Sequence, residues 1–397
     1  MLKTLPRSNF CRVAIIYNHD FPSSVIADDE GILSNCDEPP SCLVQKSSFC
    51  EGLEARASVQ SVAQSVHRAL LNIGLIHVDV FPIKKLSAIS KIISNRKHDL
   101  IFNLCETLDG DSRMEIEVAK LLERGRIPFT GNSAYTLERA LSKFHSTTLL
   151  RQAHINVPES FLIKSLDELP TINFNQHRFI LKPNEQDGST GIEFSSVVND
   201  QKELATQAKL LFENGQGPLI AQQYIDGREI NLAIIGNKVN KFWNCSEIDF
   251  SKLPENLPKI LNYSSKWIEE SPEYKKTVGI RPELSSSLRN KIFEIGIKTA
   301  KALKISSYAR LDLRIDSDEN PYVIDINPNC DLDPTAGLAR SASYNGLGHE
   351  ALIFKIMEIA FENFTSPKNF LAPVFSLNPL PYLSAYRLKL QEQKNNL

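Results

Sequence analysis

The sequence predicts two styles of fold in one chain: an α/β region up to about residue 150 and an α+β region from about residue 178. Short apolar runs alternate with helical patterns over residues 12–150, as they do in a parallel sheet with crossover helices. Beyond Arg178 the apolar runs crowd together and are separated by turn pairs such as Asp226-Gly227 and Gly236-Asn237, which marks antiparallel strands. The 397 residues, 42% of them apolar, supply material for roughly two to three domains with cores of their own.

In chain order, Arg12 to Tyr17 reads as a strand, Ala55 to Asn72 as a helix, Leu75 to Phe81 and Leu100 to Leu104 as strands. A helix over Arg113 to Arg124 and a strand over Ile127 to Gly131 follow. The first strand runs into Asn18-His19-Asp20-Phe21-Pro22 and not into a GxGxxG turn, which removes the main support for an NAD-binding reading. Residues 18–53 carry Pro22, Pro39, Pro40 and three cysteines and read as an inserted loop. Cys36, Cys42 and Cys50 lack a CxxC pair and a clustered His, so a solvated loop is favoured over zinc. After Arg178 the strands are Arg178 to Lys182, Gly191 to Val197, Pro218 to Tyr224, Glu229 to Ile235 and Lys238 to Trp243. A helix over Ser287 to Leu303 precedes a hairpin with strands Tyr308 to Asp316 and Tyr322 to Asn327, and a helix over Glu350 to Phe364 closes the core. The tail, with Pro367, Pro373, Pro379 and Pro381, reads as an extended arm with a short terminal helix.

Charge excludes some functions. With 45 Lys and Arg against 47 Asp and Glu, the net of −2 gives no global positive field for nucleic acid or an anionic membrane. No apolar run approaches membrane-spanning length. The seven cysteines show no CxxC pair and no signal-peptide pattern opens the chain, so a reducing, cytoplasmic setting is expected.

The stretch from Tyr308 to Asn329 carries the most chemistry. Strand alternation puts Arg310, Asp312 and Arg314 on one face, opposite Leu311, Leu313 and Ile315, and in the return strand Asp325 and Asn327 share a face opposite Ile324 and Ile326. Two carboxylates and an amide oxygen thus converge beside a guanidinium, a hard donor set that suits Mg2+. A solvated hairpin is the plainer reading of any single Asp, but acids in half-buried strands are expensive to leave unpaired. Asp316 to Asn320 imitates the start of an EF-hand loop; Pro321 and Asn327 stand where its Gly and Glu belong, so it reads as a hairpin turn.

A second cluster begins where a strand ends in Lys182 and a loop with Gly188, Ser189, Thr190 and Gly191 offers backbone N–H groups to phosphates. Alone, such a loop is more often a turn, and it lacks a P-loop ending. A third cluster runs from Gln222 to Asn231 as strand, turn and strand, with Glu229 able to accept ribose hydroxyls. Lys143 and Lys266 are unremarkable in isolation.

The order of these segments resembles the ATP-grasp superfamily, and within it the D-alanine–D-alanine ligase-like carboxylate-amine ligases. The resemblance runs from about Arg12 to Phe364, through Phe102 to Glu106, Ile127 to Gly131, Leu141-Ser142-Lys143, Lys182-Pro183, Gly227-Arg228-Glu229, Asn262 to Trp267, Arg310-Leu311-Asp312 and Asp325-Ile326-Asn327. It implies an ATP-grasp fold with an N-terminal Rossmann-like domain over 1–135, subdomains over 136–225 and 226–365, and a C-terminal extension over 366–397. It further implies that Lys143 and Lys182 contact ATP phosphates, Gly188 and Ser189 belong to a mobile phosphate lid, and Gln222 to Ile225, Tyr224 included, form the adenine hinge. Glu229 would hold the ribose, Lys266 would reach the γ-phosphate, and Asp312, Asp325 and Asn327 would bind two Mg2+ ions, or Mn2+ in their place. Arg310 would stabilise the transition state. The implied partners are ATP with small-molecule carboxylate and amine substrates, without nucleic acid or membrane, and a homodimer is compatible.

The amino-acid pockets depart from that pattern. Relatives follow the metal-binding Asn with Pro-Gly and a downstream Ser-Leu pair that hold the second carboxylate; here the run is Asn327 to Gly337, with Ala336 at the Ser position beside Thr335, and with Asp331 and Asp333 added. Two added acids should repel a second carboxylate. The N-terminal Glu-x-Ser element matches Glu54 to Ser58 only loosely, Glu106 replaces a His, and Trp267 follows Lys266 where Tyr is common. The expectation is an ATP-dependent, ADP-forming ligase that joins a carboxylate to an amine through an acylphosphate, an amino-acid or small-molecule ligase such as a natural-product amino-acid ligase, on substrates other than two D-alanines. A true D-alanine–D-alanine ligase and a non-catalytic ATP-binding scaffold are the alternatives; the scaffold should have lost Arg310 or a metal ligand, and neither is lost.

Overall fold

A computed structural model describes residues 11–19, 53–236 and 241–365. Most of the expected 18–53 insertion, with Cys36, Cys42 and Cys50, and the tail beyond residue 365 lie outside the described residues, as do the side chains of Glu54 to Ser58.

The first region is a three-stranded parallel sheet ordered β2-β1-β3, from β1 (Arg12–Asn18), β2 (His77–Ile83) and β3 (Leu100–Leu104), with α1 (Leu53–Asn72), α2 (Leu86–Ser94) and α3 (Met114–Gly125) as its helices. The near-continuous apolar run of β1 follows from burial on both faces. Val13, Ile15 and Tyr17 pack toward α1, and Ala14 and Ile16 pack with Ile89 and Leu122 of α2 and α3. The strand expected over Ile127 to Gly131 reduces to one bridge between Ile101 and Phe129. Pro128 has no N–H to donate, and Gly131, at φ 103°, turns the chain away. Next come α4 (Ala134–Leu141) and α5 (Lys143–Gln152). Ser142 joins them and caps α5 by accepting from the His145 N–H, which sets Lys143 at its first turn.

A four-stranded antiparallel sheet follows, ordered β4-β7-β5-β6: β4 (Ser160–Ile163), β5 (Phe179–Pro183), β6 (Val197–Val198) and β7 (Leu219–Gln223). The helix α6 (Gln201–Glu213) covers one face, Leu204, Ala208 and Leu211 packing on Phe179, Leu181, Leu219 and Ala221. Alternation turns Ile180, Lys182, Ile220 and Gln222 to the other face. The strand expected over Gly191 to Val197 is instead a 3-10 turn, Phe194–Ser196, which Glu193 and Ser196 cap reciprocally, leaving two residues of β6.

The remaining sheet is five-stranded and antiparallel, ordered β10-β9-β8-β11-β12: β8 (Arg228–Gly236), β9 (Lys241–Asp249), β10 (Val278–Ile280), β11 (Tyr308–Ile315) and β12 (Pro321–Pro328). Short helices α7 (Tyr263–Trp267) and α8 (Pro272–Lys276) precede β10; α9 (Ser286–Leu303), α10 (Gly337–Ser343) and α11 (His349–Thr365) complete the described chain. Ile230, Leu232, Leu311, Leu313 and Ile326 form a core with Leu288, Ile292 and Leu303 of α9. Because β7 and β8 belong to different sheets, Asp226-Gly227 is a crossover and not a hairpin turn. Gly227 sits at φ 142°, and a Cβ there would lie 1.9 Å from the Ile315 carbonyl oxygen, so only glycine fits. Asp316 accepts the N–H groups of Asp318 and Asn320, closing the expected β11–β12 hairpin turn. Among the described residues no helix is long and apolar enough to cross a membrane.

Candidate active site

The uncovered face of the five-stranded sheet is polar, and its register says why. Asp312 lies opposite Asn231 of β8 and Asp325 of β12, and Arg310 lies opposite Asn327. Arg310 grips Asp312 with two bonds of 2.7 and 2.8 Å, while Asn231 and Asn327 donate to its two oxygens at 2.8 and 3.1 Å. A β-bulge after Asp312 inserts Ile324. The extra residue lets Val323 face the core while Asp325 faces the cleft, and it frees the Ile324 carbonyl, which accepts from Lys182 Nζ at 3.2 Å. The expected alternation therefore holds for Asp325, Asn327 and Ile326 but not for Ile324, whose core place Val323 takes. The set of two carboxylates and an amide oxygen on adjacent strands fits Mg2+ by donor chemistry.

Cations gather against this face. Lys143 Nζ lies 2.7 Å from Asp187 and 3.4 Å from Asp325. Burial works against ionising Asp325, but Lys143 and Lys182, with the Ile326 N–H, outweigh it and hold the carboxyl below its usual range. Burial and then neighbouring Lys143 lower Lys182; burial and then Arg310 lower Lys266. The loop after Lys182 has Gly188, Ser189 and Gly191 at φ 73°, 63° and 70°, a run of left-handed turns compatible with a phosphate-facing nest. Trp267 Nε1 donates to the Gly188 carbonyl at 2.7 Å and thereby ties α7, with Lys266, to that loop.

At the other end of the cleft stands the segment expected to be the adenine hinge. Gln222 is 1% exposed, and its side-chain NH2 has no partner among the described residues, a buried donor that a nucleobase acceptor would satisfy. Glu229 is buried, which raises its carboxyl, and Arg314 opposes that rise. Arg314 donates to Glu229 Oε2 at 3.1 Å, to the Ile225 carbonyl at 2.9 Å and to the Tyr224 hydroxyl at 3.4 Å. Tyr224, Ile225 and Phe250 also line a cavity of about 1110 Å3 that is completed by Arg178, Arg228, Glu247 and Asp316 and takes in neither Gln222 nor Glu229. Strand alternation places Arg314 on the right face but gives it no role, and Asn231, though it ends the third cluster, has none either, since a lone strand Asn gives no signal without the register.

The cleft beside Arg310 and Lys266 is acidic. Glu106 follows β3; solvent reaches it in the open cleft, yet the surrounding protein and then Asp331 push its carboxyl up, against Lys266 and Arg310. Burial likewise raises Asp331, which accepts the Asp333 N–H at 2.8 Å. The Thr335 hydroxyl is committed to Asp333 at 2.6 Å, and Ala336 at the start of α10 has no side-chain cap to offer. Gly337 lets α10 approach, since a Cβ there would meet the Arg310 side chain at 2.9 Å.

The expected site residues are thus distributed along one cleft between the two antiparallel sheets, with Lys143, Lys182, Lys266, Arg310, Asp312, Asp325 and Asn327 at one end and Gln222, Tyr224, Ile225 and Glu229 at the other. Residues 167–358 match the family model described as D-ala D-ala ligase C-terminus. The chain is 26% identical over 271 residues to an uncharacterized protein, y4sG, of Sinorhizobium fredii, covering 68% of this chain and 76% of that one. It is 25% identical over 283 residues to D-alanine–D-alanine ligase A of Bacillus cereus, covering 68% and 86%. Its fold matches the crystal structure of D-alanine–D-alanine ligase from Bacillus anthracis complexed with ATP, with a TM-score of 0.64 and 19% identity over 90% of this chain and 99% of that one. The VanG D-Ala:D-Ser ligase from Enterococcus faecalis gives a TM-score of 0.61 at 16% identity, over 89% of this chain and 100% of that one. Over residues 167–358 the chain thus matches the D-ala D-ala ligase C-terminus family, its fold is that of D-alanine–D-alanine ligases, and about two thirds of its length is homologous to these ATP-dependent, ADP-forming carbon–nitrogen ligases.

Proposed function

We propose that this protein uses ATP to activate a small-molecule carboxylate as an acylphosphate and joins it to an amine, on substrates other than two D-alanines. The observation that carries this reading is the Arg310–Asp312 fork flanked by Asp325 and Asn327, facing the buried Lys143 and Lys182. A donor carboxylate oxygen attacks the γ-phosphorus of ATP, the bond to the β-phosphate oxygen breaks, and ADP departs. Lys143, Lys182 and Lys266 offset charge spread over the transferring oxygens, so positioning and electrostatics supply most of the acceleration. Mg2+, held by Asp312, Asp325 and Asn327, would add charge neutralisation at the phosphate oxygens. The amine, attacking in its neutral form, adds to the acyl carbon while Arg310 donates to the resulting oxyanion; the acyl C–O bond to phosphate then breaks, and the proton shed by the nitrogen leaves with the phosphate. The loop around Gly188 and Ser189 excludes water in the interval.

Substrate choice is read from the acidic end. An ammonium group on the substrate would draw the protons off Glu106 and Asp331, whose carboxyls are pushed up in the free site, and a loop whose Thr335 hydroxyl is already bonded offers no replacement for a carboxylate-binding Ser. An acceptor amine without a carboxylate beside it fits best. The test is ADP and phosphate release from Mg-ATP across carboxylates and amines, singly and in pairs, with Asp325→Ala as the blank. We expect a pair with a cationic, carboxylate-free acceptor to exceed the blank by about 100-fold or more. D-alanine alone matching the best pair would restore the peptidoglycan reading, and ATP binding without turnover on any pair would favour the scaffold.

A further inference from the structure

Arg314 takes part in no step above, yet it is 3% exposed and holds three groups at the nucleotide end of the cleft. An apolar side chain could fill its place at lower desolvation cost, since a buried ion pair contributes little net stability. Its bonds explain its presence. The guanidinium fork joins the hinge, through the Ile225 carbonyl and the Tyr224 hydroxyl, to the carboxylate directly opposite it across the β8–β11 register, Glu229. The aromatic rings of Tyr224 and Phe250 flank it at 5.5 and 5.8 Å. Glu229 gives up Oε2 to this contact and keeps Oε1 without a protein partner among the described residues.

We infer that Arg314 is a positioning residue for nucleotide binding: anchored on the Ile225 carbonyl and the Tyr224 hydroxyl, it fixes Glu229 so that Oε1 faces the ribose hydroxyls. The inference rests on the proposed role of Glu229 as ribose acceptor. Without Arg314, Glu229 loses its orientation and its buried countercharge, so the ribose hydroxyls lose their acceptor while phosphate contacts elsewhere in the cleft persist.

The test compares ATP with 2′,3′-dideoxyATP, both with Mg2+, by titration calorimetry on the full chain, which needs no carboxylate or amine substrate. The wild-type protein is expected to prefer ATP by about tenfold or more, the worth of a hydrogen bond to a charged acceptor. In Arg314→Met that preference should collapse to about twofold or less, through weaker ATP binding with dideoxyATP nearly unchanged, and Arg314→Lys, which retains one donor, should fall between. Thermal melting confirms which variants fold, and the lysine variant alone decides the matter if the methionine variant does not. A wild-type preference surviving in the variants, or an equal loss for both nucleotides, would overturn the role of Arg314 while leaving the ligase reading intact. A wild-type protein that binds both nucleotides equally would overturn the Glu229 assignment and this inference with it.

Discussion

Asp325 and Lys182 show how single residues set the chemistry. The acid is pulled below its usual range by two lysines, and Lys182 is pushed down because burial outweighs its attraction to Asp325. Lys266 is pushed down in the same direction by burial and by Arg310. In the proposed site, ATP phosphates would restore both lysines to their charged forms, so binding would take up protons wherever the free lysines have begun to lose them. ATP affinity should therefore fall as pH rises, beginning below the ordinary lysine value of about 10.4, by up to about tenfold per pH unit for each lysine titrating. Calorimetry in buffers of different ionisation enthalpy reads the proton uptake directly. Affinity that stays flat up to about pH 10 would remove both lysines from the phosphate site.

Among elements, the loop containing Gly188 and the helix α7 act together through one bond, Trp267 Nε1 to the Gly188 carbonyl. Trp267→Phe keeps the ring and deletes the donor. The loop should then close less firmly over the acylphosphate, and phosphate released per amide formed should rise about 3- to 10-fold with ADP release little changed. An unchanged ratio would mean that the tryptophan serves packing alone. The same element scale decides what the sequence reveals. Alternation along β11 and β12 made Arg310, Asp312, Asp325 and Asn327 legible, because a period of two needs no tertiary information. The bulge at Ile324 was not legible, since it exists to reconcile a core-facing Val323 with a cleft-facing Asp325 and is visible only in the pairing. Gly227 was legible as a turn but not as a crossover between sheets, because strand partners are set by the whole fold. The cluster from Gly191 to Val197 misled because its apolar residues pack around a 3-10 turn against Tyr224 and Ile260.

For the whole molecule, one site is assembled from three sheets. The helix α11 returns to pack against α1 in the core of the first sheet, so late and early parts of the described chain share one interior. Asn329, at φ 58°, accepts from the Asn132 N–H at 2.6 Å and donates to Glu115 at 2.9 Å, fastening the loop after β12 to the first region. Gly131 permits this approach, since a Cβ there would lie 2.7 Å from the Asn329 side-chain oxygen. That junction brings Glu106 and Asp331 to bear on Arg310 and Lys266. The residues proposed to handle ATP carry a motif order that is legible in sequence, while the region around Glu106 and Asp331 departs from it with added acids, which is why the resemblance could be read early and the substrate could not. Activation of a carboxylate by phosphorylation is the step on which the rest of the proposed reaction depends. It is tested most directly by supplying the best donor found in the substrate screen with both carboxylate oxygens labelled as 18O. We predict that the released phosphate carries one 18O and the nucleotide product is ADP. Unlabelled phosphate, or label transferred into AMP, would contradict the account.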